Sequence, residues 1–145
     1  MKALIQRVKT ASVIIDDEIY SKIDGGILVF IGVEKTDEIE NAQNLAQKIV
    51  NLRIFPDQDD KMNKSILDVK GEIMVVSQFT LVGDCKKGTR PSFDKSAPLD
   101  KAKKLYEDFV NIIAQYGLTT KTGKFQAMMD ISLVNQGPVT FFIEK

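Results

Sequence analysis

The chain has 145 residues, of which 43% are apolar and 28% charged, and its 20 basic side chains are balanced by 20 acidic ones. This predicts one domain over residues 1–145, gives no overall basic signal for nucleic acid, and excludes a membrane-spanning helix, since no apolar run approaches the roughly 18 residues required. The early charges at Lys2 and Arg7 do not fit a signal peptide, and one cysteine, Cys85, cannot form an internal disulfide. A reducing, cytoplasmic location is therefore expected.

The first third of the chain is predicted to be β-structure. Residues 4–8, 12–15 and 18–23 are typical of strands, and Asp16-Asp17 is placed as a hairpin turn between the last two. Residues 27–31 are apolar at every position, which predicts a strand covered on both faces.

Two amphipathic helices follow. The first is expected to begin near Asp37, an N-cap residue with Glu40 three positions later, as in a capping box. The second is expected to run from about Leu99 to Tyr116 and to end at Gly117, which suits the C′ position. Their apolar residues recur at helical spacing, so both helices should face the core.

Short strands are predicted between and after the helices, at residues 64–69, 72–79, 118–122, 131–134 and 139–143. Two of these segments contain nearly continuous apolar runs and should be buried on both faces, at residues 73–76 and 139–143. The order of elements predicts an α+β fold, with a mixed, barrel-like double-layered β-sheet and two long helices packed on one side in β/β/α layers.

The absence of histidine is the most informative feature of the composition. It excludes Ser-His-Asp and Cys-His catalysis. It also excludes His-ligated metals, and a single cysteine cannot build a thiolate site, so neither a metal nor a cofactor is expected. Any chemistry must use carboxylates, hydroxyls, lysines, backbone amides or groups that the substrate supplies.

Polar residues end one of the buried strands, in the sequence Ser77-Gln78-Phe79-Thr80-Leu81. A buried strand has no structural need for these polar groups, and each would cost about 1–3 kcal/mol if it were left without a partner. Strand ends that enter loops often carry reactive groups. The alternative is that Ser77 and Thr80 only satisfy backbone groups at a turn.

A second unusual segment is Asn135-Gln136-Gly137-Pro138-Val139-Thr140, which separates two predicted strands. Proline lacks an amide donor and interrupts sheet pairing, and the preceding glycine allows another group to approach closely. An ordinary turn explains the pattern equally well on the residues alone.

Basic residues concentrate between Lys86 and Lys104. This segment contains seven basic and two acidic residues, so it carries a net charge of +5. It is interpreted either as a solvated surface or as a patch that contacts the phosphates of an RNA.

Together, the two motifs resemble the signature pair of the D-aminoacyl-tRNA deacylases. The resemblance extends along the chain, in order and without large gaps, through residues 6–8, 32–34, 51–55, 87–93, 122–125 and 132–135. Two positions depart from the family pattern: Gln136 stands where an acidic residue is more usual, and Thr89 where many relatives have a basic one.

The resemblance implies a hydrolase that cleaves the ester between a D-amino acid and the 3′-terminal adenosine of tRNA, as chiral proofreading. It implies a homodimer with the active site at the subunit interface. A cis Gly137-Pro138 bond would reach into the partner's site, where its carbonyls would exclude L side chains. Glycine has no side chain, so glycine mischarged on tRNA(Ala) would also be removed.

The resemblance also implies roles for individual residues. Ser77, Gln78, Phe79 and Thr80 would form the catalytic segment, with Thr80 either as a nucleophile or as part of a site assisted by the 2′-hydroxyl of the tRNA. The lack of histidine favours the assisted mechanism. Arg7 would fix the Gly-Pro loop through its carbonyls, or else be an exposed charge at a strand end.

Met129, with Met128 beside it, would line an adenine pocket or else fill the core. One competing hypothesis for the whole chain is a related deacylase that acts on an L-aminoacyl error, which would require a trans Gly137-Pro138 bond. Another is a non-catalytic dimeric RNA- or protein-binding module on the same fold. The pairing of Thr80 with Gly137-Pro138 argues against that alternative, because a binding module has no reason to keep both.

Overall fold

The computed structural model describes every residue from Met1 to Lys145. It contains eight strands, three α-helices and a short 3₁₀ helix at Phe79–Val82. The strands are β1 (Lys2–Ile15), β2 (Glu18–Ile23), β3 (Gly26–Gly32), β4 (Phe55–Pro56), β5 (Met62–Lys64), β6 (Glu72–Ser77), β7 (Thr120–Thr122) and β8 (Asp130–Glu144). The helices are α1 (Ile39–Val50), α2 (Ile66–Val69) and α3 (Leu99–Gln115). None of them is long and apolar enough to cross a membrane.

Six strands form one mixed sheet in the order β2-β1-β3-β6-β7, with β8 paired to β1. The long strand β1 runs antiparallel to β3 with its first half, to β2 with its second half, and to β8 along nearly all its length. Strands β3, β6 and β7 are parallel to one another. The Ser21 hydroxyl on β2 donates to Thr122 O on β7 at 2.8 Å, which joins the two ends of the strand order. The architecture is therefore α+β with a nearly closed, barrel-like sheet.

Alternate residues of the central strands enter two separate cores. On β3, Ile27, Val29 and Ile31 belong to a cluster of 22 buried residues that includes α1 and α3. Leu28 points the other way, into a cluster of 7 buried residues that includes the second half of β1. This two-sided burial confirms the expectation for residues 27–31 and 73–76, and it follows from the period of two along a strand.

The two long helices form where they were predicted. Gly117 adopts φ +77° just beyond the end of α3, as expected for a C′ glycine. Tyr106 of α3 is buried, and its hydroxyl donates to Val75 O at 2.8 Å, which fastens the helix to β6. Burial raises the pKa of this phenol above its ordinary value.

The predicted N-cap of the first helix is wrong by one residue. The N-cap is Glu38, whose backbone N–H donates to Asn41 Oδ1 at 2.8 Å. Asp37 instead is buried and binds the N-terminal ammonium of Met1 at 2.6 Å through Oδ1. Its Oδ2 accepts from Glu34 N at 2.7 Å. The Asp37 side chain therefore binds the distant N-terminal ammonium instead of capping the helix, as the local sequence had predicted.

The strand predicted at residues 64–69 is wrong beyond Lys64, where β5 ends. Ser65 Oγ accepts from Asp68 N, and Ser65 N donates to the Asp68 carboxylate, which completes a capping box and starts the short helix α2. The same hydrogen bonds from Ser65 hold the pKa of Asp68 below its ordinary value.

Three boundaries differ because tertiary pairing extends or ends a strand. The two segments predicted at residues 4–8 and 12–15 are one strand, β1, and those at 131–134 and 139–143 are one strand, β8. Strand β6 ends at Ser77 rather than at residue 79.

The expected two-sided burial of residues 139–143 is wrong, since only Val139 is buried and Phe141 and Phe142 are exposed. Strand β8 lies at an edge, where no second layer covers it.

Candidate active site

The polar motif at residues 77–81 lies where β6 turns into the 3₁₀ helix. Gln78 N donates to Ile31 O at 2.7 Å, which holds the strand end against β3. Leu81 N donates to Gln78 O at 3.2 Å and Gly83 N donates to Thr80 O at 3.0 Å, so the chain reverses tightly after the strand. The turn presents Phe79 and Thr80 at the surface, and Ser77 and Gln78 are half-buried behind them.

A close approach of β3 to this turn depends on Gly32. A Cβ at Gly32 would lie 3.0 Å from Leu81 Cβ and Val82 Cγ2, and 3.3 Å from Gln78 O. These distances are tighter than ordinary van der Waals contact, so a larger residue would displace the turn. The glycine at the end of β3 therefore allows the close approach that positions the motif.

The motif borders a cavity of about 630 Å³. Such a volume lies within the roughly 300–1,000 Å³ that small-molecule sites occupy. The cavity is mostly apolar, with Ser77, Gln78, Ser96 and Gln126 as its polar exceptions. Its other lining residues are Ile31, Val33, Val76, Phe79, Ala97, Leu99, Ala102, Phe125, Ala127, Met128, Met129 and Ile131. No charged side chain lines it, which suits a neutral, largely apolar ligand group.

Met129 forms part of the cavity wall and is held in place. Lys124 N donates to its Sδ at 3.3 Å, and a Cβ at Gly123 would lie 3.0 Å from the same sulfur. Met128 also lines the cavity but is 91% exposed, so the interpretation of both methionines as core filler is wrong for Met128.

The Thr80 hydroxyl has one side-chain hydrogen bond, which it accepts from Gln78 Nε2. No carboxylate, lysine or arginine side chain is hydrogen-bonded to it. An amide N–H donor cannot remove the hydroxyl proton, because it has no lone pair to receive it. The chain therefore provides no general base at hydrogen-bonding distance from this hydroxyl. Nor is any group of three or more acidic or cysteine side chains arranged to hold a metal ion.

The second motif forms a loop that projects from β8. Gln6 pairs with Thr140 and Val8 with Asn135, so four residues of β8 lie opposite the single residue Arg7. The Asn135 side chain closes the base of this loop, since its Nδ2 donates to Arg7 O at 3.0 Å and to Val139 O at 3.1 Å. Gly137 and Pro138 are exposed at the tip, and the bond between them is cis.

Arg7 is not the exposed strand-end charge that was one of the two alternatives, because it is only 7% exposed. Its Nη1 donates to Ile54 O, and its guanidinium carbon lies 6.0 Å from the centre of the Phe55 ring. Its Nε is buried without a hydrogen-bond partner. Within the chain, the contact between Arg7 and the Gly-Pro loop runs through the Arg7 carbonyl and Asn135, not through the guanidinium.

The structure brings together only part of the predicted site. Ser77, Gln78, Phe79 and Met129 line one cavity, and Thr80 follows directly at its edge. Arg7, Gly137 and Pro138 do not line that cavity.

Sequence reasoning gave no role to Leu99 or Phe125 in the cavity wall, nor to Phe93, whose ring centre lies 5.0 Å from that of Phe79. Leu99 is 51% exposed at the start of α3, so it lines the cavity rather than the core, and nothing in the sequence distinguishes it from the core-facing residues of the helix.

Comparison with known proteins identifies the family. The family described as D-Tyr-tRNA(Tyr) deacylase matches residues 4–144. The chain belongs to this family, which confirms the resemblance found in the two motifs. It is 55% identical to the D-aminoacyl-tRNA deacylase of Thermosipho africanus (strain TCF52B), over 99% of this chain and 97% of that protein. It is 56% identical to the D-aminoacyl-tRNA deacylase of Geotalea uraniireducens (strain Rf4), over 99% of this chain and 93% of that protein.

Two solved structures share the fold. One, described as c-Myc DNA unwinding element binding protein, has a TM-score of 0.94 at 38% identity and covers 100% of this chain and 99% of its own. The other, described as a probable eukaryotic D-amino acid tRNA deacylase, has a TM-score of 0.86 at 15% identity, over 99% of this chain and 98% of its own. At that identity the second likeness shows the fold alone.

Proposed function

We propose that this protein hydrolyses the ester bond of D-aminoacyl-tRNA and releases the free D-amino acid and tRNA. The observation that carries the proposal is the uncharged cavity bordered by Ser77, Gln78 and Phe79, in a chain that matches the deacylase family from residue 4 to residue 144. An ester needs no charged binding group, and the names of the relatives supply the substrate class.

The cavity is proposed to hold the 3′-terminal adenosine. A purine presents a flat apolar face with polar edges, and apolar walls with a few polar groups suit such a ligand. Phe125 and Met129 offer an aromatic ring and a polarizable thioether on one wall, and Gln126 and Ser96 offer hydrogen bonds. With the adenosine there, its ribose ester would lie beside residues 77–80.

The chemistry is proposed to be assisted by the substrate. Thr80 lacks a base, so its hydroxyl has nothing to activate it as a nucleophile. The backbone amides of Phe79 and Thr80 stand at the start of the 3₁₀ helix, where N–H groups have no partner within the helix. Such amides would stabilise the oxyanion that develops on the ester carbonyl. The 2′-hydroxyl of the terminal ribose would then help to activate water.

A second copy of the chain is proposed to complete the site. Gly137 and Pro138 do not line the cavity that holds Ser77, so one chain alone does not place both motifs around one substrate. Strand β8 carries this loop and has one unpaired edge, with Val134, Phe141 and Phe142 exposed on it by 41–51%. An exposed apolar edge strand normally needs a cover. A homodimer would provide one and would bring the loop into the partner's cavity.

Chiral selection is proposed to work by exclusion. Backbone carbonyls of Gly137 and Pro138, facing the α-carbon of the amino acid, would collide with an L side chain and leave a D side chain free. Such a filter needs no pocket for each side chain. Glycine has no side chain to exclude, so glycine mischarged on tRNA(Ala) should be removed as well.

Matched substrates test the proposed function. We expect hydrolysis of D-tyrosyl-tRNA, no hydrolysis of L-tyrosyl-tRNA above the spontaneous rate, and hydrolysis of glycyl-tRNA(Ala). Release of labelled amino acid under single-turnover conditions is the measurement. A protein that leaves the D form intact would be the non-catalytic RNA- or protein-binding module instead. Equal rates on the D and L forms would refute the chirality filter but not the hydrolase.

The role of Thr80 is tested by Thr80→Val, which keeps the shape and removes the hydroxyl. We expect the single-turnover rate to stay within about tenfold of the unmodified protein, because only a positioning contact with Gln78 is lost. Thr119→Val, at an exposed position away from the cavity, is the control. A loss on the order of 10⁴-fold at unchanged tRNA binding would make Thr80 the nucleophile.

A further inference from the structure

Four basic side chains near the cavity have no ionic partner. Lys86, Lys87, Arg90 and Lys95 are all exposed. None of them forms a salt bridge or a side-chain hydrogen bond. All four lie in residues 84–95, the segment called here the basic loop.

The lysines further along the same segment differ. Lys101 pairs with Glu38 at 2.7 Å, Lys104 with Asp108 at 2.7 Å, and Lys103 lies 3.9 Å from Glu107. The basic side chains of residues 86–104 therefore fall into two groups. Those on α3 are paired with acidic side chains, and those on the basic loop are not. Only the latter has cations available for an external anion.

The basic loop has a defined shape. Asp84 and Ser92 exchange backbone hydrogen bonds of 2.8 and 2.9 Å, which close the base of the loop. Gly88 has φ +68° near the tip, a conformation that disfavours any side chain. The Asp84 carboxylate accepts from Lys86 N at 2.9 Å and so caps the backbone rather than an ammonium group.

A cleft of about 290 Å³ opens on this loop, between Lys86 and Lys87 on one segment and Lys95 on the other. Asp84, Ser92 and Asp94 complete its lining. Three lysines and two aspartates thus line one concave surface, which gives it a net positive charge. Concave surfaces with an excess of one charge concentrate ligands of the opposite charge.

The basic loop is tied directly to the cavity. Phe93 packs its ring against Phe79, with the ring centres 5.0 Å apart. Lys95 is followed at once by Ser96, which lines the cavity. A polyanion whose end group enters the cavity would therefore pass over the basic loop.

We propose that the basic loop binds the phosphates of the tRNA strand that lead to the 3′-terminal nucleotide. This rests on the proposed function, in which that nucleotide occupies the cavity. Lys86 and Lys87 supply two point charges, Lys95 a third on the opposite side, and Arg90 a fork at the tip. Such contacts are independent of base sequence and add affinity without taking part in the chemistry.

The test compares two double variants, each of which removes two positive charges. K86Q/K87Q changes the unpaired lysines of the basic loop, and K103Q/K104Q changes the paired lysines of α3. All four side chains are exposed, so both variants should fold. The probes are uncharged (deacylated) tRNA for binding at several salt concentrations, D-tyrosyl-tRNA for kinetics, and D-tyrosyl-adenosine as a substrate without phosphates.

For K86Q/K87Q we expect tRNA affinity to fall about tenfold and the slope of log K against log salt to decrease by about 1.5. The KM for D-tyrosyl-tRNA should rise in parallel with kcat unchanged, and hydrolysis of D-tyrosyl-adenosine should be unaffected. K103Q/K104Q should change each of these by less than about twofold. R90Q should act in the same direction as the loop pair, with about half the effect on the slope.

Equal losses in the two lysine pairs, or no loss in K86Q/K87Q, would overturn the proposal. So would an equal loss on D-tyrosyl-adenosine, since that substrate has no phosphate to bind. These outcomes leave the proposed hydrolysis intact, because they are measured relative to an active unmodified protein. Loop-dependent tRNA binding without any D-tyrosyl-tRNA hydrolysis would support the loop contact and refute the hydrolase.

Discussion

Gly137→Ala is expected to leave the fold intact and to lower kcat/KM for D-aminoacyl-tRNA by about 100-fold, the scale of loss that a displacement of about 1 Å at a reacting centre produces. A Cβ at Gly137 meets nothing within the chain closer than Asn135 Oδ1 at 4.0 Å, and no positive φ disfavours a side chain there. The free energy of unfolding should therefore change by less than about 1 kcal/mol. The added methyl group would project from the exposed tip of the loop into the partner's site, where the α-carbon of the substrate is proposed to lie.

The measurement pairs single-turnover deacylation with equilibrium unfolding in urea. Gly25→Ala is the matched control, because a Cβ there also meets nothing within 4 Å and Gly25 lies in the turn between β2 and β3. We expect the control to change neither activity nor stability appreciably. If Gly137→Ala retains full activity, the tip of the loop does not face the reacting amino acid, and the proposed filter is wrong.

Much of the fold is predictable because its determinants are local. Asp16 and Asp17 adopt φ +52° and +64°, the left-handed pair that a two-residue hairpin requires and that aspartate tolerates better than most residues. The continuous apolar runs of β3 and β6 identify strands covered on both faces. The spacing of apolar residues on α1 and α3 likewise identifies the faces that pack into the core.

Errors arise where a distant partner decides the local structure. The proline at position 138 suggested a break between two strands, yet pairing with β1 resumes on both sides of the loop. The Asn135 side chain closes that loop by donating to Arg7 O on β1 and to Val139 O on β8. No local sequence pattern predicts these two acceptors. Arg7 is buried against Ile54 and Phe55, far away in sequence, so its environment was also not predictable.

The site was predictable only where its residues are marked by local sequence, and not where distant segments complete it. Ser77, Gln78 and Thr80 stand out as polar residues at the end of an apolar strand, and the structure joins Ser77 and Gln78 with Phe79 and Met129 in one cavity. The opposite wall comes from the start of α3 and from residues 125–127. Residues 125–127 reach the strand end because β7 pairs with β6 and Gly123 N donates to Val75 O at 3.0 Å. The start of α3 reaches it because α3 packs across β6, where Tyr106 donates to Val75 O. The composition of α3 predicts a helix but not which residue it presents to a cavity.

The buried ion pair between Met1 and Asp37 leads to the largest expected effect on stability. Asp37 is 3% exposed and Met1 is 2% exposed, and the ammonium-to-carboxylate distance is 2.6 Å. The same carboxylate accepts from Glu34 N, and the same ammonium donates to Lys145 O, so both ends of the chain meet at this point. Removing one charge of a buried pair leaves the other without compensation, which costs about 3–5 kcal/mol.

Asp37→Asn should therefore lower the free energy of unfolding by about 3–5 kcal/mol, and the Tm by on the order of 10 °C for a chain of this size. Asparagine keeps an oxygen for Glu34 N, so the charge rather than the hydrogen bond is removed. Asp59→Asn is the control of equal charge change, since Asp59 is exposed and its side chain has no partner. Urea unfolding of both variants is the measurement. If the two variants lose the same small amount, the ammonium of Met1 does not depend on Asp37, and the contact at the chain ends adds little to stability.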